Sequence, residues 1–267
     1  MQRSLFAGIS GLNAHQLMID VAANNIANVN TAGYKASSVV FEDTLSQTLS
    51  GAGQASSPVG GTNPVQIGMG VKLAATSLDF TEGAPQATGV PENMMIHGDG
   101  FFVLQKAGVQ MYTRCGEFSR DSAGHLATAD GALVCDDTGT PIDLSVLQTG
   151  TYVSFAIGQD GAINGIDVSG AATQIGQVGL ATFPNPQGLQ KVGHNDYIRS
   201  ASSGAATIGV PQSGGRGELS SGYLEGSNVD LAKELTNLIV AERGFQANSK
   251  SITTSDEVLQ TLVNLKQ

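Results

Sequence analysis

The chain has 267 residues, of which only 13% are charged and 5% aromatic, with no tryptophan and 35 glycines. Its formal net charge of −10 argues against nucleic acid or an anionic membrane surface as the main partner. No run of apolar residues is long enough to span a bilayer, and the opening "MQRSLFAGISGLNAHQLMIDVAANN" lacks the apolar centre of a cleaved secretion signal. No membrane insertion is therefore expected, and any route out of the cytoplasm is expected to need no cleaved signal.

Leu5, Leu12, Ile19 and Ile26 fall seven apart, with Ile9 and Ala23 beside them. That period predicts a helix packing lengthwise on another helix. The helix runs into "VAANNIANVNTAGYK", residues 21–35, which holds Asn24, Asn25, Asn28 and Asn30. Asparagine competes for backbone partners and is a poor interior helix former. Either these residues end the helix near residue 28, or they bond across a packed contact and fix its register, since a buried amide is costly unless bonded. Gly33 is expected to supply a left-handed backbone at the exit.

Residues 36–90 read as an extended arm. Within it, "LSGAGQASSPVGGTNPVQIGMG" (49–70) is rich in Gly, Ser and Pro and has no hydrophobic pattern of its own. From 91 to 224, short apolar runs are broken by Asp-Gly at 99–100, 130–131 and 160–161. This is tight-turn chemistry and predicts an antiparallel β domain. A second loose stretch, 200–222, leads back to a C-terminal helix. There Leu231, Leu238, Phe245, Ile252 and Leu259 again fall seven apart, flanked by Leu235, Ala241, Leu262 and Val263. Ser227 or Asn228 is the expected cap, and a helix from Val229 to Leu265 would be roughly 55 Å long. The expected fold is α+β: residues 1–35 and 225–267 pair as a coiled-coil-like terminal domain, with the β-rich domain inserted between them. Both helices carry small or polar residues where a wide apolar face would continue, among them Ser10, Asn13, Gln16, Asn248, Ser249 and Ser255. A narrow stripe fits either an antiparallel pair within one molecule or contacts between copies.

Catalytic and metal chemistry is not legible. The histidines at 15, 97, 125 and 194 have no ligand spacing, the Asp-Gly pairs do not complete a calcium loop, and no nucleophile elbow is present. Neither an enzyme nor a cofactor is expected. Cys115 and Cys135 are not in a CxxC spacing, and the sequence leaves their pairing open.

Three segments, in order, resemble one family. "ANNIANVNTAGYK", then "GDGFFVL" with "YTRCGEFSRDSAGHLAT", then "GYLEGSNVDLAKELTNLIVAERGFQANSKSITTSDEVLQTLVNL" are similar to the signatures of bacterial flagellar rod and hook proteins. Within that family the two ends and "GGTNPVQIGMGV" resemble the hook subunit more than the distal rod subunit, which is the alternative. The resemblance implies a homopolymer: a tube whose inner wall is built from the paired terminal helices, transmitting torque while it bends. It implies an extracellular place in the flagellum, passage through the flagellar export apparatus, and contacts with other axial proteins of the rod, the hook cap and the hook–filament junction. It assigns self-assembly to Leu5, Leu12, Ile19, Asn24, Asn25, Ile26, Asn28, Gly33, Leu231, Leu235, Leu238, Phe245, Asn248, Ile252 and Leu259. A secreted β-rich adhesin with helical oligomerisation ends would account for the glycine-rich centre and the heptads, but not for the ordered asparagine signature.

Overall fold

The computed structural model describes residues 2–55, 60–148, 152–167 and 169–265. The chain is α+β and forms two compact units. The first comprises residues 1–27, 37–78 and 230–267. In it α1 (Gln2–Ala27) and α2 (Leu231–Asn264) lie antiparallel. Their seam is set by glycine. A Cβ on Gly8 would lie 3.1 Å from Ile252, one on Gly11 would lie 2.8 Å from the Asn248 amide, and one on Gly244 would overlap the His15 ring. The backbones therefore approach more closely than leucine-lined helices can.

The α2 half of the seam follows the heptads. Leu238, Phe245, Ile252 and Leu259 are half-buried and alternate with buried Glu234 and Ala241. The α1 half does not. Its most buried positions are Gly8, Gly11, Ala14, Ala22 and Asn25, while Leu5, Leu12, Ile19 and Ile26 are only half-buried beside them. The cap of α2 is Asp230, whose carboxylate accepts from the Ala232 and Lys233 amides at 2.9 and 3.3 Å; Ser227 and Asn228 lie before it.

The expected arm is instead paired β structure, and residues 37–78 cluster with the helices. Strand β1 (Ser37–Asp43) pairs antiparallel with β4 (Val71–Leu78), and β2 (Ser46–Ser50) with β3 (Val65–Gly68). Ser10 of α1 accepts from the Val71 amide at 3.3 Å, and Gly70 passes so near this serine that any Cβ would strike it.

The second unit comprises residues 28–36 and 79–229. It contains β5 (Pro85–Ala87), β6 (Met94–His97), β7 (Phe101–Lys106) and β8 (Val109–Thr113), followed by short antiparallel strands through 223–225. Strand β7 sits at its centre, paired with β8 and with strands 133–134 and 180–182. Alternation along β7 feeds two layers. Phe102 and Leu104 join an aliphatic core with Met94, Ile96, Leu126, Val134 and Leu180. Phe101 points into an edge-to-face aromatic group with Phe80, Phe183 and Tyr197. Two of the Asp-Gly sites are turns, with φ of 82° at Gly131 and 78° at Gly161, whereas Asp99-Gly100 is a bend with φ of 145° at Gly100. Cys115 and Cys135 are free thiols.

Candidate assembly site

The three motifs meet at one buried cluster of charge in the second unit. Lys35 comes from the end of the first motif, Arg114 from the end of β8, and Glu225 from the strand preceding α2. The Lys35 ammonium lies 2.5 Å from Glu225 Oε1 and donates to the Thr81 carbonyl at 2.6 Å. Oε1 also accepts from the Gly83 amide at 3.0 Å. Arg114 stands 3.6 Å from Glu225 Oε2 and donates to the Gly98 carbonyl at 2.8 Å, with its guanidinium 5.4 Å from the Phe101 ring centroid. All three side chains are essentially without solvent exposure. Burial pushes the Lys35 ammonium below the usual lysine range, and Glu225 opposes that push.

The neighbouring backbone explains the rest of the signature. Gly33 has φ +68°, the left-handed conformation expected of it, and its amide donates to the Glu225 carbonyl at 2.7 Å. A Cβ there would lie 2.5 Å from the Cys115 nitrogen, so space and dihedral both require glycine. Asn228 accepts from the Ala36 amide at 2.8 Å and donates to the Asp79 carbonyl at 2.8 Å. It bonds across two passing strands rather than capping α2.

The asparagines divide. Asn25 is 1% exposed. Its amide donates to the Ser37 carbonyl at 2.8 Å and its oxygen accepts from the Ser37 amide at 3.1 Å, both in the first unit. These two bonds tie the end of α1 to the start of β1 in the same chain. Asn28 accepts from the Thr31 hydroxyl at 3.1 Å within the turn that follows α1. Asn24 faces solvent. Helix α1 ends at Ala27, next to Asn28, and Asn25 is a buried fastener.

Both helices carry large apolar side chains outward. On α1, Phe6 and Leu17 are exposed, Phe6 by 65%. On α2, Leu231, Leu235, Ile239, Val240, Val258, Leu262 and Val263 are exposed. Asn248 lies in the seam against Gly11. Of the residues assigned to self-assembly, Leu231, Leu235 and Asn24 are exposed; Leu5, Leu12, Ile19, Ile26, Asn28, Leu238, Phe245, Asn248, Ile252 and Leu259 are half-covered, while Asn25 and Gly33 are buried. Sequence reasoning missed Lys35, Arg114 and Glu225, whose only signal was membership of the three motifs.

The same three segments match family models. Residues 5–35 match the flagella basal body rod protein model, 95–165 the D1 domain of the flagellar hook protein FlgE/F/G, and 220–265 the C-terminal model of flagellar basal body rod FlgEFG proteins. The chain is 46% identical to the flagellar basal-body rod protein FlgG of Bacillus subtilis over 268 residues, all of both chains. It is 38% identical to the protein of that name from Borreliella burgdorferi over 276 residues, again all of both. The flagellar hook protein FlgE of Borreliella burgdorferi is 27% identical over 441 aligned positions covering both chains. An alignment that much longer than 267 residues means that this hook protein carries long stretches without a counterpart here. Relatives named rod proteins and a relative named a hook protein thus both align along the whole chain, so its terminal motifs do not separate the two, and the rod relatives are the more similar.

Proposed function

The chain belongs to the flagellar rod and hook protein family and is a structural, non-enzymatic component of the flagellum; from that premise we propose that it is the distal rod subunit of the basal body. The observation that carries this reading is the end-to-end match to basal-body rod proteins without a long insertion. In this proposal many copies associate head to tail through unlike surfaces. Such contacts do not close on themselves and so build a helical tube. The outward apolar residues of α1 and α2, Phe6, Leu17, Leu235 and Ile239 among them, are covered by neighbouring copies. The half-buried stripe of Leu238, Phe245, Ile252 and Leu259 then serves pairing within the subunit first. The subunit leaves the cell through the flagellar export apparatus, and the tube joins other rod and hook proteins at its ends.

Basal bodies isolated from a strain lacking the protein and imaged by electron microscopy test the reading. The expected particles carry a short rod and no hook. Full-length rods missing only the hook would assign the chain to the hook instead. Leu235→Asp, an exposed position, is expected to abolish polymer while leaving monomer stability within about 0.5 kcal/mol.

A further inference from the structure

Residues 32–35 are held from two sides, and the charge cluster accounts for only one of them. On the other side lies a hairpin formed by Gln190–Gly193 and Asp196–Ile198. The Lys191 ammonium donates to the Lys35 carbonyl at 3.1 Å and sits 4.6 Å from the Tyr34 ring centroid. The Asn195 amide donates to the Ala32 carbonyl at 3.0 Å. Both hydrogen bonds go to main-chain carbonyls, so they grip the path of the chain rather than its side chains. The hairpin is itself anchored: Asp196 and Tyr197 pair with Thr113 and Tyr112, and the Thr113 hydroxyl donates to the Asn195 carbonyl at 3.0 Å. Its turn residues His194 and Asn195 have φ of 53° and 63°, the geometry of a tight two-residue turn. Residues 28–36 accordingly cluster with the β unit, although α1 directly precedes them.

We infer that this hairpin is a clasp that keeps residues 32–35 docked in the β unit whether or not α1 and α2 are paired. When the helical unit opens, the N-terminal stretch is then released no further than Thr31, where the clasped segment begins. The inference stands apart from the choice between rod and hook.

Hydrogen exchange on the dilute full-length protein, repeated at rising sub-denaturing urea, tests it. The Gly33 amide donates to the Glu225 carbonyl and the Ala36 amide to Asn228, so both report docking of the segment. They are expected to stay protected with the amides of β7 under conditions where the amides of α1 and α2 exchange. Exchange of Gly33 and Ala36 together with the helices would overturn the clasp. In the double variant Lys191→Met with Asn195→Ala, Gly33 and Ala36 are expected to exchange at least tenfold faster while β7 stays unchanged. Lys191→Arg, which keeps a donor and a cation over Tyr34, should restore much of the protection. Unchanged exchange in the double variant would overturn the inference and leave the charge cluster as the whole restraint.

Discussion

Replacing Glu225 by glutamine isolates the worth of the buried charge. Glutamine keeps the shape and the acceptor for the Gly83 amide, which lies 3.0 Å from Oε1, but removes the only carboxylate paired with both Lys35 and Arg114 among the described residues. Arg114 keeps its bond to the Gly98 carbonyl, and guanidinium does not give up its proton in proteins. Lys35 does, which sets a ceiling. From a reference near 10.4, neutralising a lysine at pH 7 costs about 4.6 kcal/mol, and at pH 9 about 1.9 kcal/mol. Breaking a buried pair by removing one partner costs about 3–5 kcal/mol, so the expected loss at pH 7 is about 3–4.5 kcal/mol. Burial already lowers the Lys35 pKa, and losing Glu225 lowers it further. The unfolded chain then binds more protons than the folded one, so the variant gains stability as pH rises. Its deficit should shrink by roughly 2–3 kcal/mol between pH 7 and 9. Urea unfolding followed by the near-ultraviolet signal of buried Tyr112 and Tyr197 reads this unit without interference from tryptophan. A loss below about 1 kcal/mol at pH 7, or a deficit flat from pH 7 to 9, would refute the view that the three charges form one desolvated network.

Gly33→Ala should cost more than about 2 kcal/mol in the same assay, because the left-handed backbone alone costs a residue with a Cβ about 1–2 kcal/mol and the new atom meets the Cys115 backbone. Asn25→Leu leaves the amide and carbonyl of Ser37 without their partner and should destabilise the helical unit by about 1–3 kcal/mol, read from thermal melts at 222 nm. Its polymers should keep the wild-type helical symmetry by electron microscopy; altered symmetry would restore an intersubunit role. Asp196 is 4% exposed, and burial raises its pKa to about 6. The folded state binds its proton more tightly, so its contribution is present below about pH 4 and lost as pH rises through 6. Asp196→Asn should therefore stabilise the β unit at pH 7 by about 1–3 kcal/mol and flatten the slope between pH 4 and 6, measured as urea midpoints.

The long helices and the β centre were legible because their signals are local. Leu238, Phe245, Ile252 and Leu259 show the seam of α2 since leucine-sized residues register in a heptad. The seam of α1 was hidden because Gly8, Gly11 and Ala22 do not count as apolar in such a pattern, and their part is to let backbones meet. The ribbon at 37–78 escaped notice for a related reason: every residue of β2 and β3 is exposed, so no alternation marks them. Asp230 was passed over as the cap because Ser227 and Asn228 precede it, and the structure occupies Asn228 elsewhere. Lys35 and Glu225 are 190 positions apart, and no spacing rule connects a lysine with a glutamate at that distance. Relatives named rod and hook proteins both align along the whole chain, so the motifs on which the sequence reading relied do not separate them.

That separation of 190 residues also acts as a clock. A ribosome adding about 5–20 residues per second delivers Glu225 some 10–40 s after Lys35. Throughout that interval the acid on which the N-terminal signature closes does not yet exist, and neither does Asn228, which bonds the two strands passing beside it. Until Glu225 arrives, Lys35 lacks the carboxylate with which it forms its ion pair. Nearly the whole polypeptide must be made before its N-terminal signature is tied to its C-terminal one.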